Sequence, residues 1–291
     1  MLISFLSLFL LPACLFAQQA NTDVLKRFDD LFTFPSGFYR LQIRNKLPAK
    51  APNNNDPYYS PWQRDVFLLR DAKSPENFLY LFRNSYRNIH YKVLVEKKNK
   101  IYLANILSNR LYYIQEKERM QTFFPYTFSY LDFSFFSLAK HYRIPEKKEA
   151  KQFPKDTRFP SIAVTPESEL DSYLLLSKYP EMQVPKKKEK GKITYKFFYR
   201  KLVLLIRKKT KLPFRLDYYR DGELFKSAYF SFATLPNKSK QRDAANERLF
   251  PSKIRMVDLL HNKETVLEFY ERDSSKVPSP FLFRPKNLLT E

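Results

Sequence analysis

The sequence predicts a mainly antiparallel β-fold with a few helices, an α+β protein. Short strand-like runs follow one another closely before residue 115 and again after residue 170. Asp221-Gly222 separates two alternating apolar runs, a pattern typical of a β-hairpin. The composition of 28 Phe and 20 Tyr favours strands, and 3 Gly are too few for a glycine-rich phosphate loop.

The N-terminus has the pattern of an export signal. Residues 2–17 contain no charged side chain and are rich in Leu, Phe, Ile and small residues, which is typical of a secretory signal peptide. No later stretch approaches the roughly 18 uninterrupted apolar residues of a membrane-spanning helix. We therefore predict a signal peptide over 1–17, a periplasmic location and a single domain over 18–291.

Cys14, the only cysteine in the sequence, leaves two alternatives for the mature protein. Ala13 and Leu11 fit the small and apolar positions before a lipidated cysteine, although the proline between them is unusual. Cleavage after Ala17 instead provides the small residue that signal peptidase requires, although Leu15 fits that site poorly. We favour cleavage after Ala17, because nothing beyond the signal region indicates an anchor; lipidation of Cys14 would tether the protein to the outer membrane.

The composition excludes several classes of function. Lys and Arg outnumber Asp and Glu by 52 to 30, a formal charge of +22. Export argues against nucleic acid as the partner, which leaves a general lysine bias or attraction to anionic headgroups. A mature chain without Cys14 has neither disulfides nor a cysteine metal site.

The N-terminal half predicts a helix followed by a β-meander. The spacing of apolar residues over 21–32 predicts an amphipathic helix. A strand over 38–44 and a turn-rich loop over 46–61 come next. The meander then consists of the runs DVFLLR, NFLYLF, YKVLVEK, NKIYLANI and NRLYYIQ. The aromatic stretch 128–142 predicts a second helix, and the charged stretch 143–160 an exposed loop.

The C-terminal half predicts further antiparallel strands. One strand covers 171–179 and a longer one covers 193–208. A hairpin over 211–232 has Asp221-Gly222 at its tip. The runs SKIRMVDLL and TVLEFYER predict a second hairpin across residues 261–264.

The sequence contains no pattern of catalytic or metal-binding residues. His90, His141 and His261 occur in three unrelated contexts, and we expect them at the surface. Acidic neighbours such as Asp29-Asp30 seldom face each other across a cleft. We expect no enzyme activity, no cofactor and no metal, although a scattered serine triad stays open as a hydrolase alternative.

Several predicted strands have one apolar face and one charged face. Leu202, Leu204 and Ile206 alternate with charged neighbours, and the strands around Phe214 and Phe269 do the same. The apolar face must be covered, and the two predicted helices are the candidates. It encloses either a packed core or a cavity for an apolar ligand, and periodicity alone favours the core.

The chain also resembles the LolA/LolB-like outer-membrane lipoprotein-sorting family, in its longer, spirochaete-type branch. The similarity rests on SYLLLSKYP, YRKLVLLIRKKTKLPFRLDYYRDGELFKSAYFSF, PSKIRMVDLLHNKETVLEFYE and VPSPFLFRPKNLL, and more loosely on TDVLKRFDDLF, KNKIYLANILSNRLYYI and FSYLD. The central region departs from the family pattern, with Arg110 and Arg119 but no glycine, and 143–167 resembles an insertion.

The resemblance implies a curved, incompletely closed β-barrel, covered by helices around a hydrophobic cavity. It implies a monomeric periplasmic carrier that shields lipoprotein acyl chains or other lipids and exchanges them with inner- and outer-membrane sorting components. Alternatives are an outer-membrane-tethered acceptor or an envelope scaffold with a filled core. The expected lipid-binding residues on strands are Leu202, Leu204, Ile206, Phe214, Leu216, Ile254, Met256, Leu267 and Phe269. Those expected in a helical lid are Phe128, Leu131 and Phe135.

Overall fold

A computed structural model of the chain contains one antiparallel sheet of 13 strands. It describes residues 23–46, 63–74, 76–83, 89–96, 100–115, 118–123, 126–134, 137–145, 167–178, 199–220, 223–238 and 248–290. The strands are β1 (Gly37–Lys46), β2 (Gln63–Arg70), β3 (Phe78–Arg83), β4 (Ile89–Glu96), β5 (Lys100–Asn105), β6 (Arg110–Ile114), β7 (Tyr142–Arg143), β8 (Leu170–Ser177), β9 (Lys201–Arg207), β10 (Pro213–Arg220), β11 (Glu223–Thr234), β12 (Leu249–Asp258) and β13 (Lys263–Asp273).

The chain builds this sheet outward from its middle and then inward from the far edge. The strand order is β6-β5-β4-β3-β2-β1-β13-β12-β11-β10-β9-β8-β7. Strands β1 to β6 form a meander to one edge, the chain crosses to the other edge at β7, and β8 to β13 return to the centre. The edge strands β6 and β7 do not pair with each other, so the barrel is not closed.

The predicted strands agree with this architecture. Both meanders and the β10–β11 and β12–β13 hairpins are present, and residues 23–31 form the first helix, α1. The tip residues Asp221 and Gly222, the signal region with Cys14 and most of 143–167 lie outside the described residues, as does the predicted loop 46–61 apart from Lys46, which ends β1.

One apolar core fills the inner face of the sheet. Its members come from nearly every strand, and Ile114 of β6 and Leu175 of β8 belong to it although their strands lie towards opposite edges. The sheet therefore curls around this core. Phe28 of α1 and Phe32, which directly follows the helix, stack on each other and pack edge-on against Phe230 of β11.

The crossing from β6 to β7 runs over the inner face. We call residues 118–123 and 126–134 the strap. Both segments of the strap contact β3: Phe123 packs against Phe82, and the Phe133 carbonyl accepts a hydrogen bond from the Tyr80 hydroxyl over 2.6 Å. The strap thus lies over β3 and also reaches β11, where Asp132 contacts Lys226, so it forms a roof over the core.

The prediction of a single helix over 128–142 is wrong. A bridge and turns lead into a 3₁₀ turn, Asp132–Ser134, and then a four-residue helix, α2 (Leu138–His141). The serines explain the difference, because short polar side chains compete with the helix for backbone groups. The Ser134 hydroxyl donates to the Leu131 carbonyl over 2.6 Å, and the Ser137 side chain caps α2.

The opposite, outer face is also partly apolar, which the sequence pattern did not predict. A cluster around Leu69, Leu79 and Leu94 is covered by Phe283 and Leu288 of the C-terminal segment. A second cluster around Val203 and Val257 lies on the strands of the other half. The charged neighbours in the sequence alternation therefore do not make this face uniformly polar.

Candidate functional site

An apolar cavity of about 50 Å³ lies between the inner face and its roof. The roof side is lined by Phe28 and Asp29 of α1, Phe32 just after it, Phe128 and Asp132 of the strap, and Leu138 of α2. The sheet side consists of Leu216, Tyr218, Ala228, Phe230, Ile254 and Met256. Pockets that hold a drug-sized ligand have volumes of roughly 300–1,000 Å³, so in this closed arrangement the core is nearly filled.

Most of the predicted lipid-binding residues face this core. Phe128, Leu216, Ile254 and Met256 line the cavity itself. The others that belong to the same core cluster are Leu131, Leu202, Leu204, Ile206, Leu267 and Phe269. Phe135 lies outside the described residues.

Phe214 is placed differently from the prediction. A β-bulge between Pro213 and Arg215 interrupts the alternation of β10. The Phe214 ring lies edge-on to Tyr229, with the ring centroids 6.0 Å apart, and Tyr229 packs against the outer cluster. Two-residue periodicity does not hold across a bulge, so Phe214 does not share the surroundings of Leu216.

One carboxylate joins the two helices of the roof. Asp29 of α1 accepts hydrogen bonds from the Ser137 hydroxyl (2.5 Å), the Leu138 amide (2.7 Å) and the Ala139 amide (3.1 Å). These amides are at the start of α2, where no intrahelical acceptor exists. Burial raises the pKa of Asp29, although its three hydrogen bonds act in the opposite direction.

The middle of the strap is fixed to the centre of the sheet through Thr127. The Thr127 amide donates to the Thr265 hydroxyl over 2.9 Å, and the Thr127 hydroxyl donates to the Met256 carbonyl over 3.2 Å. The Thr265 hydroxyl in turn donates to the Asn45 side-chain oxygen over 2.7 Å. This chain of polar contacts links the strap to β12, β13 and β1.

A buried ionic cluster fixes the far end of the strap. Lys226 Nζ of β11 lies 2.6 Å from Asp132 Oδ2, and it also donates to the Tyr199 hydroxyl. The Tyr199 hydroxyl donates to Asp132 Oδ1 over 3.1 Å, and the Ser129 amide and hydroxyl donate to Asp132 Oδ2 over 2.6 and 2.8 Å. Both side chains of the ion pair are at least 95% buried.

The electrostatics of this cluster reflect its isolation from water. Burial lowers the pKa of Lys226, while the Asp132 carboxylate partly offsets that effect. Burial also raises the pKa of Tyr199 well above 10, and the negative charge of Asp132 adds to the rise. A charge in such surroundings is tolerated because it is paired and hydrogen-bonded.

The sequence analysis did not identify Lys226, Asp132 or Tyr199. The sequence nevertheless contains an indication of Lys226. It lies on the same face of β11 as Ala228 and Phe230, whose side chains face the core. A cation in register with an apolar face requires a buried partner. The partner itself lies 94 positions earlier in the chain, a distance that no local pattern bridges.

A metal site or a membrane-spanning helix would each leave a recognisable pattern among the described residues. No group of three potential metal ligands occurs among them, and none of their helices is long and apolar enough to cross a membrane. His261 is exposed beside Asp258, as expected, whereas His141 is buried in α2, contrary to our expectation.

The fold resembles that of three solved structures. A DUF1329 family protein from Desulfovibrio piger aligns with a TM-score of 0.60 over 93% of this chain and 98% of its own, at 15% identity. A domain assigned to outer membrane lipoprotein sorting, from Vibrio parahaemolyticus, gives 0.60 over 94% and 100%, at 15% identity. A LolA superfamily protein from Nitrosomonas europaea gives 0.55 over 91% and 97%, at 15% identity.

These similarities define the fold of the chain. The sequence matches no family model and no curated protein. The curved, open barrel expected from the sequence resemblance is therefore confirmed at the level of architecture.

Proposed function

We propose that the protein is a non-enzymatic lipid carrier of the cell envelope, which shields the acyl chains of lipoproteins or other lipids between the inner face of its sheet and the roof. The observation that carries the proposal is the apolar cavity at the joint between sheet and roof. The roof consists of α1, the strap and α2. Among the described residues, none of these elements forms a hydrogen-bonded ladder with the sheet, and none adjoins β10, β11 or β12 in the sequence.

The energetics of the roof suit a carrier. Phe128 and Leu131 of the strap bury apolar surface against the inner face, with 3% and 0% of their surface exposed. An acyl chain that takes their place buries similar surface, at about 0.8 kcal/mol per CH₂ group. Exchange of one apolar contact for another is then nearly balanced, so a ligand can open the roof without unfolding the sheet.

The proposed site comprises the residues that line or adjoin the cavity. They are Phe128, Leu131, Leu202, Leu204, Ile206, Leu216, Ile254, Met256, Leu267 and Phe269, together with Phe28, Phe32 and Phe230, which the sequence analysis did not include. One of the solved structures with this fold is a domain assigned to outer membrane lipoprotein sorting. Its similarity to this chain supports the proposal at the level of the fold.

The proposed location is the periplasm, reached through the signal peptide 1–17. The positive charge of +22 favours encounters with anionic membrane surfaces during loading and release. Lipidation of Cys14 would make the same fold a tethered acceptor, and intact-mass measurement of the mature N-terminus distinguishes the two forms.

A crosslink between strap and sheet tests the carrier. The Thr127 amide donates to the Thr265 hydroxyl, so a Thr127→Cys/Thr265→Cys variant puts one thiol on the strap beside another on β13, and mass spectrometry verifies the disulfide before binding is measured. We expect the oxidised variant not to take up a fluorescent fatty acid and the reduced variant to take it up as the wild type does. Equal uptake in both states would contradict opening of the strap, and no uptake by the wild type would contradict the carrier itself.

The alternative is an envelope scaffold with a filled core, which the small cavity volume favours. Mass spectrometry of protein purified from native membranes separates the alternatives. A carrier retains lipid in stoichiometric amounts, whereas a scaffold retains none.

A further inference from the structure

Lys226 brings a positive charge to the apolar inner face. Only 4% of its surface is exposed, and its Nζ atom lies 4.6 Å from the ring centroids of both Tyr199 and Tyr218. Tyr218 of β10 lines the cavity, as do Ala228 and Phe230, which lie on β11 together with Lys226. The ammonium group therefore lies at the edge of the space that a ligand would occupy.

The counter-ion of Lys226 belongs to the roof. Asp132 is part of the strap, and it also lines the cavity. Displacement of this part of the strap would remove the contacting carboxylate and leave the buried ammonium group with the rings of Tyr199 and Tyr218, the Tyr199 hydroxyl and the Asp258 carboxylate of the paired strand, which acts on it without direct contact. A buried charge that loses its partner is strongly unfavourable. A ligand that opens the roof next to Lys226 is therefore favoured when it carries an anion of its own.

We propose that Lys226 and the Tyr199 hydroxyl bind the oxyanion of an amphiphilic ligand, a carboxylate or phosphate at the base of an acyl chain, in the place that Asp132 occupies in the closed form. The inference rests on the proposed carrier function and adds a ligand class to it: anionic amphiphiles bind in preference to neutral ones. Tyr199 supports the assignment, because its hydroxyl contacts both members of the ion pair.

The test compares ligands that differ in the headgroup alone. Palmitate, hexadecyl phosphate and hexadecanol have the same chain length, and their affinities for the full-length mature protein are measured by calorimetry. We expect at least one of the two anions to bind about tenfold more tightly than hexadecanol, a difference of about 1.4 kcal/mol. The anion with the larger preference identifies the oxyanion that the site selects.

Two substitutions should change this preference in opposite directions. Asp132→Asn removes the competing negative charge and keeps one acceptor oxygen, which can still accept from the Ser129 amide and hydroxyl, while the new NH2 group can donate to the Tyr199 hydroxyl. The ratio of anion to alcohol affinity should therefore increase. Lys226→Met/Asp132→Asn removes both charges and should bring the ratio close to one. The double variant avoids an unpaired buried carboxylate, so it remains informative when Lys226→Met alone does not fold.

Lys253→Met is the matched control. Lys253 lies on β12 with its side chain 37% exposed and pairs with Glu268, so its loss should leave the ratio unchanged. Equal affinities for all three ligands in the wild type would overturn the oxyanion site and leave the carrier intact. An unchanged ratio in both charge variants would also overturn it, and failure of every ligand to bind would overturn the carrier as well.

Discussion

Lys226 Nζ and Asp132 Oδ2 lie 2.6 Å apart, although 94 positions separate the two residues in the sequence. This pair connects the roof of the barrel to its wall at a point that is closed to water. The Thr127 contacts and the Tyr80–Phe133 hydrogen bond are further polar contacts between roof and sheet, and the Asp29 contacts join α1 to α2. The roof is therefore held by a few identifiable groups, each of which can be removed singly.

The effects of substitutions at Lys226 and Asp132 on the free energy of unfolding should be strongly coupled. Lys226→Met alone leaves the buried Asp132 without its cation and should lower the free energy of unfolding by about 3–5 kcal/mol. Lys226→Met/Asp132→Asn should recover most of that loss. Urea denaturation of the wild type, both single variants and the double variant measures the coupling; additive losses would contradict it.

The contacts between Asp29 and α2 predict that the free energy of unfolding increases at acid pH. The pKa of Asp29 is raised in the folded protein above its ordinary 3.8, so its contribution is present at low pH and is lost as the pH rises through the folded value. Asp29→Asn removes this dependence. The wild type should therefore gain stability relative to Asp29→Asn between pH 7 and pH 4, as followed by denaturant titration.

Loss of the acceptor is a separate effect at the same position. Asp29→Ala leaves the Leu138 and Ala139 amides without their acceptor and should lower the free energy of unfolding by about 1–3 kcal/mol at pH 7. Asp29→Asn retains an acceptor and should lose less. A smaller loss for Asp29→Ala than for Asp29→Asn would show that the contacts with α2 do not stabilise the roof.

A substitution that enlarges the cavity should increase the uptake of apolar ligands even though it destabilises the fold. Met256→Ala should destabilise the protein by about 2–5 kcal/mol and increase the uptake of small apolar probes, because Met256 lines the cavity. Leu94→Ala is the control, since Leu94 is fully buried in the outer cluster and should cost similar stability without any gain in uptake. Equal probe uptake by the two variants would argue against the inner cavity as the site.

Stability should fall steeply at alkaline pH. Burial raises the pKa of Tyr199 and Tyr218 well above 10, so the stability they contribute is complete below pH 10 and is lost as the pH rises further. The lowered pKa of Lys226 makes the folded protein more stable as the pH rises. The two tyrosines together should outweigh this single group. Tyr218→Phe should reduce the loss between pH 9 and pH 11, whereas Tyr112→Phe on the exposed edge strand should not.

The sequence was sufficient for the strands but not for the roof. Alternation along β9 placed Leu202, Leu204 and Ile206 on one face, and the structure has them there, because two-residue periodicity is a local property. The strap depends on contacts that no local pattern contains. Asp132 bonds to Lys226 of a distant strand, and the serines around it favour turns over the helix that the apolar spacing predicted.

The errors on the sheet itself have two physical causes. A bulge shifts Phe214 out of phase with Leu216, and bulges leave little trace in the pattern of apolar residues. The second cause is that the C-terminal segment covers part of the outer face. Phe283 and Leu288 pack there from the C-terminal segment, so residues such as Leu79 and Leu94 are buried on the side where the alternation predicted solvent.

The position of β1 has a consequence for the order of assembly. Phe38 of β1 pairs with Asp273 of β13, 235 positions further along the chain. One side of the central strand therefore stays without its neighbour until almost the whole polypeptide has left the ribosome. Pairings between such distant segments form slowly. A nascent chain of this topology therefore remains incompletely folded until its C-terminal strands become available to pair with β1.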